Sequence, residues 1–385
     1  MRRLCWLAVL AACGGAGAPN PTVRTDSAGV EIVVGPARDR MLPWHIERER
    51  VLGGAPDGPE SFYLVRPGLV EADDDGNLYI LDRTNARVVS FDSAGRLRWT
   101  AGRQGGGPGE LQDANTLSLG PDGVVHVHDL TKAALVRFGP DGTVLPQVAF
   151  PFPPILVGEA IMHVLADGLA VIDRARYSGS DERPVRLLHI AGADTTVLFT
   201  RVLPLSRTAH YPSCGMTLTL PTPFAPRIRW TRRGSRIAIT TGAAYGVEIY
   251  ESGRLVRSVR RPIEPRQITA ADVLAVLRER AVGGPIAPCN VSAAEMIEKH
   301  GYAPELQIVY AVALAPDGSL WVRRSAGLDG SAGPIDVFDA SGEYTGSLPP
   351  ETPFPLVFLP GDRIGFAERD EVDVERLVIA RVVRP

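Results

Sequence analysis

LVEADDDGNLYILDRTNARVVSFDSAGRLRW, from Leu69 to Trp99, and TLSLGPDGVVHVHDLTKAALVRFGPDGTVLP, from Thr116 to Pro146, are one pattern written twice. Each copy runs from an apolar strand through an Asp-Gly turn to an alternating strand that closes on aspartate, Asp82 or Asp129. A loop, a third strand, a second glycine turn and a fourth strand follow, so the unit is a four-stranded meander. The first-turn glycines recur at Gly76, Gly123, Gly168, Gly234, Gly318 and Gly361, in steps of 47, 45, 66, 84 and 43 residues. Steps near 45 residues are the length of a propeller blade. The second turn recurs at Gly95, Gly142, Gly192, Gly253 and Gly342, so five units carry both turns and the sixth ends before its fourth strand.

The missing strand is found upstream. A glycine-rich linker follows the fourth strand of the first unit as AGRQGGGPGEL at 101–111, and a second copy, LGGAPDGPESF, stands at 52–62. Ile46 to Leu52, IERERVL, precedes that copy and alternates as an exposed outer strand would. Pairing it with the last unit, Phe354 to Val383, closes the ring and removes an open sheet edge. The expected fold is therefore all-β, a six-bladed β-propeller over 29–385 with an N-terminal strand in the last blade. Val30 to Val34 is one more short strand for which the repeats provide no place.

The segments GRQGGGPGEL, DGNLYILD and RVVSFD in the first blade, with their counterparts in the second, resemble NHL-type repeats. LADGLAVIDRARY (Leu165–Tyr177) and LAPDGSLWVRRSA (Leu314–Ala326) match less fully, and blades four and six match by turn spacing only. The resemblance implies a six-bladed propeller of the group that includes exported bacterial lipoproteins. It implies no chemistry, because the fold hosts lyases, lactonases, receptors and scaffolds.

An address precedes the repeats. Arg2 and Arg3 stand before a nine-residue apolar run, Leu4 to Ala12, too short to cross ~30 Å of hydrocarbon but long enough for an export signal. Leu10-Ala11-Ala12-Cys13-Gly14 resembles the lipobox of bacterial lipoproteins, which implies that Cys13 is acylated and begins the mature chain. The alternative is a plain secretory signal cut near Ala16 to Ala18. Gly14 after the cysteine implies, by the same resemblance, delivery to the outer membrane. Residues 13–28 then form a flexible tether.

Of 385 residues, 45% are hydrophobic and 22% charged, which describes a packed globular chain. Its net charge of -3 becomes -5 once Arg2 and Arg3 are removed, so there is no basic field to attract nucleic acid. Extra residues are concentrated at about 201–225 and 262–308, between blades three and four and between four and five. Thr269/Asp272 and Ser292/Glu295 resemble capping boxes opening two helices in the second insertion. Blade linkers and second-to-third-strand loops, Asp173–Pro184 and Arg324–Pro334 among them, emerge on one face, where binding on a rigid scaffold is expected. Cys214 and Cys289 lie one in each insertion and are expected to form a disulfide in an oxidising compartment, the alternative being two buried thiols.

Asp82, Arg83, Asp129, Asp173, Arg174, Arg324, Glu368 and Arg369 end second strands and are the candidate ligand-binding residues at the channel mouth. An equally physical role for the aspartates is to accept backbone N–H bonds from the adjacent loop. His126 and His128 share a strand face, a spacing that permits metal binding, yet they replace Tyr79 and Leu81 of blade one, which pack. His163, His189, His210 and His300 have no ligand spacing, and GxSxG, P-loop, HExxH and CxxC motifs are absent. The expectation is a monomeric, lipid-anchored binding or scaffold protein with no metal and no cofactor, whose partner is a protein, glycan or small ligand. Its alternative is a metal-dependent hydrolase or lyase of the gluconolactonase-like or amidating-lyase propeller type.

Overall fold

The computed structural model describes residues 22–53, 61–62, 64–150, 162–174, 183–203, 206–280, 291–369, 371 and 374–385. The chain opens with β1 (Val23–Ser27), β2 (Val30–Val34) and β3 (His45–Leu52), all of which end as outer strands. Blade one is β4 (Val70–Ala72), β5 (Leu78–Asp82), β6 (Arg87–Phe91) and β7 (Leu97–Ala101). Blade two is β8 (Ala114–Leu119), β9 (Val125–Asp129), β10 (Ala134–Phe138) and β11 (Val144–Ala149), and blade three β12 (Met162–Leu165), β13 (Gly168–Arg174), β14 (Arg183–Ala191) and β15 (Asp194–Leu203). A separate hairpin, β16 (Ser206–Tyr211) with β17 (Met216–Pro221), precedes blade four, which is β18 (Arg229–Arg233), β19 (Arg236–Thr240), β20 (Gly246–Glu251) and β21 (Arg254–Arg260). Helices α1 (Ala270–Arg280) and α2 (Ala293–His300) separate it from blade five, β22 (Val309–Leu314), β23 (Leu320–Ser325), β24 (Ala332–Phe338) and β25 (Tyr344–Leu348). Blade six is β26 (Val357–Leu359), β27 (Arg363–Arg369) and β28 (Glu375–Val383), completed by β3.

Local chemistry sets the repeat. At most of these turns an aspartate carboxylate caps amides two to four residues on, as Asp73 does for the N–H of Asn77 at 2.8 Å and Asp92 for that of Arg96 at 2.8 Å. The glycine then carries the positive φ, +84° at Gly142. A Cβ there would also come within 2.9 Å of the Trp99 ring in the preceding blade, so the turn glycine serves blade-to-blade packing as well as the turn itself. Thr269 and Asp272 cap α1 reciprocally, with Thr269 N donating to Asp272 Oδ2 at 2.9 Å and Asp272 N donating to Thr269 Oγ1 at 3.2 Å. Ser292 Oγ accepts from Glu295 N at 3.1 Å to start α2.

Packing closes the ring. Apolar clusters fill the spaces between successive blades, for example Leu81, Val88 and Leu117 between one and two, and Ile172, Leu187 and Ile239 between three and four. The space between six and one is filled by Leu52, Phe62, Ile80 and Leu377. β3 pairs antiparallel with β28, Leu52 opposite Leu377 and His45 opposite Val383, as the repeat arithmetic requires.

The N-terminal segment does more than the repeats disclose. β2 pairs parallel with β21, Val33 opposite Val259, and adds a strand outside blade four. β1 pairs with β2, so Val23–Ser27, which the sequence reading assigns to the tether, is a strand. Between β2 and β3 the chain crosses blade five: Leu42 N donates to Ser347 O at 2.9 Å, and Ser347 N to Arg40 O at 2.8 Å. Arg261, wholly buried, fixes the crossing by donating to the Pro36 and Arg38 carbonyls at 2.8 and 3.1 Å, and it forms an ion pair with Asp336 at 2.8 Å. Residues 23–52 are thus a strap along the rims of blades four, five and six. No helix among the described residues is long and apolar enough to cross a membrane.

Candidate functional site: the central channel

The described candidate residues at the ends of second strands are held by nearby loops, the N-terminal strap and β3. Asp82 accepts from Asn85 Nδ2 at 2.7 Å and Arg87 Nε at 3.0 Å, and Asp129 accepts the amides of Gln112, Asp113 and Lys132 at 2.7, 3.2 and 3.0 Å. Arg83 lies 3.9 Å from Asp113, and Arg324 faces Asp39 at 2.5 Å and Asp336 at 3.4 Å. Glu368 takes a two-pronged contact from Arg48 at 2.9 and 3.1 Å, and Arg369 pairs with Glu375 at 3.1 Å. Asp173 and Arg174 end β13, but their side chains lie outside the described residues. None of the other six lines the axial cavity, because second strands stand one position outward from the strands that bound it.

His126 and His128 are core residues. His128 is fully buried, its ring 4.1 Å from that of Phe150, and burial pushes its pKa down to about 4. Among the described residues no three histidine, cysteine or acidic side chains are grouped to hold a metal ion.

The inner strands instead enclose a cavity of about 380 Å³ on the propeller axis. That is the lower end of the range for small-molecule sites. It is bounded by β4, β12, β18, β22 and β26 with the residues leading into them. Among the described residues, Arg66, Arg227, Arg229, Arg232 and Arg233 line it with one carboxylate, Glu71. Trp230, Tyr310, Phe354 and Phe358 provide its aromatic surface.

Register places these groups along the axis. Arg232 and Arg233 pair with Ile237 and Arg236, next to the blade-four turn, and Glu71 pairs with Tyr79 near its own turn. That end is the plain face. Arg229 begins β18, and Arg227 and Arg66 precede their inner strands, so these three stand at the loop-rich end. There the Arg229 guanidinium lies 5.5 Å from the centre of the half-exposed Tyr310 ring and donates from Nε to the Tyr310 carbonyl at 2.7 Å.

At the plain end three ionisable groups from three blades meet. Glu71 Oε1 is 3.6 Å from Arg232 Nη2 and 3.7 Å from His163 Nδ1, both longer than a hydrogen bond. Arg232 Nη2 spends its hydrogen bond on the Leu119 carbonyl at 2.5 Å. Burial works to raise the Glu71 pKa, but Arg232 foremost, with His163 and Arg233, more than offsets it and keeps the carboxyl ionised below its usual range. Burial pushes the His163 pKa down against the opposing pull of Glu71, so the ring is neutral at pH 7. It packs edge-on to Trp230 with ring centres 4.6 Å apart.

Sequence reasoning singled out none of these residues as a site, and it counted His163 among the scattered histidines. A signal was present: Glu71, Ser118 and His163 all stand five residues before their turn glycines, Gly76, Gly123 and Gly168. A shared offset on the innermost strand means a shared position on the channel wall. Blade four has a shorter turn, which places Arg232 two residues before Gly234 and hides the correspondence.

The two insertions meet on the loop-rich side. Tyr211 of β16 and His300 of α2 are both buried and share a 2.6 Å hydrogen bond. Cys214, in the hairpin turn, is disulfide-bonded; Cys289, its expected partner, lies outside the described residues, as does Cys13.

No protein-family model matches the chain, and no curated protein matches its sequence. Solved structures do match in fold. A protein of Bacteroides fragilis described as exported is 13% identical, with 92% of this chain and 100% of that one covered and a TM-score of 0.52. A member of the DUF4221 family from Bacteroides vulgatus is 10% identical over 90% and 100% of the two chains, with a TM-score of 0.49. Virginiamycin B lyase of Staphylococcus aureus is 11% identical over 87% and 99%, with a TM-score of 0.38. The first of these likenesses is of fold alone, and the strand topology makes the chain a six-bladed β-propeller.

Proposed function

We propose that this propeller is an exported, lipid-anchored NHL-type protein that binds a small anionic ligand in its central channel, entered from the loop-rich face. The observation that carries the reading is that, among the described residues, five guanidinium groups and one carboxylate line a cavity of about 380 Å³, with Asp74 and Glu375 facing Arg233 and Arg66 from outside that lining. Arginine forks recognise carboxylate, sulfonate or phosphate oxygens two at a time, and the reduced dielectric inside a channel strengthens each contact. Rigid inner strands hold these groups in place, which lowers the ordering cost of binding. Binding without chemistry accords with a site whose neutral imidazole and ionised carboxylate stand beyond hydrogen-bond reach of one another.

Anchoring through Cys13 is supported by Arg2, Arg3 and the export-length apolar run that ends at it. A Cys214–Cys289 bridge is supported by the disulfide state of Cys214 and by the Tyr211–His300 contact that joins the same two insertions.

A fluorescence titration with the aromatic sulfonate 8-anilinonaphthalene-1-sulfonate tests the channel. The expected result is saturable binding that weakens with added salt and is lost in Ala311→Trp, which fills the cavity from β22. Unchanged binding by Ala311→Trp places the probe outside the channel and overturns the reading.

A further inference from the structure

We infer that two copies of this chain pair edge to edge through β1, Thr25 against Thr25 on a twofold axis, so that their blade-four sheets join into one. Nothing in this pairing depends on what the channel binds, and it sets a dimer against the monomer expected from sequence.

The outer strands of the propeller are built against such pairing, with one exception. β7, β11, β15, β21, β25 and β3, the fourth strands of the blades, each slip register against the third strand, as between Ser90 and Phe91 in blade one and between Ile379 and Ala380 in blade six. Bulges of this kind twist an edge away from a flat neighbour. Pro146 further breaks β11, and the strap covers β25 through Arg40 and Leu42. In blade four, β2 and β1 are laid outside the bulged β21, and both run in unbroken register, 31–34 along 257–260 and 23–27 along 30–34. That sheet therefore ends on a regular strand without proline whose five residues are all exposed. Among the described residues no strand lies beyond it.

Backbone geometry fixes which groups of β1 point outward. Ser27 and Val30 flank the two-residue turn Ala28-Gly29, with φ of +54° and +81°. They are thus a hydrogen-bonded pair, as are Thr25 with Ile32 and Val23 with Val34 by the alternation of an antiparallel ladder. The N–H and C=O groups of Arg24 and Asp26 are left directed away from β2. A second copy of the strand, run antiparallel, meets them when Arg24 of each copy stands opposite Asp26 of the other, which places Thr25 opposite itself. Both pairs then exchange backbone hydrogen bonds, and each guanidinium faces a carboxylate. The neighbouring registers put Arg24 opposite Arg24 or Asp26 opposite Asp26, and like charges directly opposite repel. Asp26 already stands opposite Glu31 in its own hairpin, and Arg24 of the second copy supplies a cation on its open side. Because the paired strands are antiparallel, the two loop-rich faces point in opposite directions.

Thr25→Cys tests the register directly. At a non-hydrogen-bonded antiparallel pair the Cα atoms are about 4.5 Å apart, within the roughly 4.4 to 6.8 Å that a disulfide spans. Mild oxidation of the mature Thr25→Cys chain is therefore expected to give a reducible dimer above the background set by the unaltered chain. Val23→Cys holds the two thiols about 13 Å apart and is expected to cross-link roughly tenfold less. Sedimentation analysis in concentrated solution measures the pairing without an added cysteine. Asp26→Arg and Arg24→Asp each leave one sign of charge on the strand and should weaken self-association roughly tenfold. An equimolar mixture of the two should restore it, since each then meets its opposite. Equal cross-linking at positions 23 and 25 overturns the proposal. A chain that stays monomeric at every concentration and cross-links at neither position also overturns it, and leaves the edge to a foreign strand or to none. If a charge variant fails to fold, the comparison of the two cysteine variants decides by itself.

Discussion

The Tyr211 hydroxyl and His300 Nε2 lie 2.6 Å apart, 89 residues distant in sequence, at the point where the hairpin insertion meets the helical one. His300 Nδ1 lies 3.0 Å from the Arg207 carbonyl, which can only accept, so Nε2 is left to take the Tyr211 proton. Lys299 adds a bond from Nζ to the His210 carbonyl at 2.9 Å. Two segments inserted at different points of the ring are thereby joined into one cap on the loop-rich face.

Non-reducing peptide mapping is expected to link Cys214 to Cys289 across this junction. In the chain-entropy model, closing the loop between them stabilises the fold by about 4 to 5 kcal/mol before strain. Cys214→Ser and Cys289→Ser should therefore lower the melting temperature by similar amounts, since each loses the same bond. Two free thiols in protein purified from an oxidising compartment would refute the pairing.

Acid should weaken the fold through buried imidazoles. His126, His128 and His163 all have pKa values lowered by burial, to about 4 for His128. The unfolded chain binds these protons near pH 6.5, and the folded one binds all three at lower pH, that of His128 only near 4, so below pH 6.5 the unfolded state holds more protons and stability falls as pH falls. For His128 the loss reaches about 3 kcal/mol by pH 4, at roughly 1.4 kcal/mol per unit. Urea unfolding at pH 7.5 and pH 4.5 measures it, and His128→Leu is expected to shrink the difference because neither His128 nitrogen has a hydrogen bond to lose.

Deleting Asp26 to Gly53 is expected to destabilise the protein more than deleting the hairpin Ser206–Pro221. The strap buries Val33 and Leu52, together about 3 to 6 kcal/mol of apolar burial, and its loss bares the edge of β28 to self-association. The hairpin touches one face only. A truncated protein that melts at the same temperature and stays monomeric would show that the ring closes elsewhere.

Arg261→Met should cost about 3 to 5 kcal/mol, because it leaves the fully buried Asp336 carboxylate short of a counter-ion. Arg324, 3.4 Å from the same carboxylate, moderates the loss. The double variant Arg261→Met/Asp336→Leu is expected to be less destabilised than the single one in chemical denaturation. A strictly additive double variant would mean that the pair does not couple.

Mass spectrometry of the amino-terminal peptide is expected to find Cys13 as the first residue and acylated. An unmodified start beyond Cys13 would remove the anchor from the account.

Blade count, blade boundaries and the strand that closes the ring were legible in the chain alone, because turn glycines and strand alternation are local and recur at a fixed period. Gly76, Gly123, Gly318 and Gly361 all have φ between +75° and +84°, the backbone state that marks them in sequence. Helix starts at Thr269 and Ser292 were legible for the same reason, a cap being complete within four residues. The strap and the site were not. Val30 to Val34 carries a strand signal but no information on its neighbour, and its parallel partner lies in β21, more than 220 residues on. Asp82 and Asp129 stood out in sequence because they repeat, and they repeat because blades one and two use the carboxylate for like loop bonds, to the N–H of Asn85 and of Lys132. Glu71 and His163 keep a common offset from their turn glycines, but with Arg232 they differ in residue type from blade to blade, so the period gives a place on the wall and not a role; only the closing of six sheets about one axis brings three unlike inner strands within 4 Å of a common point.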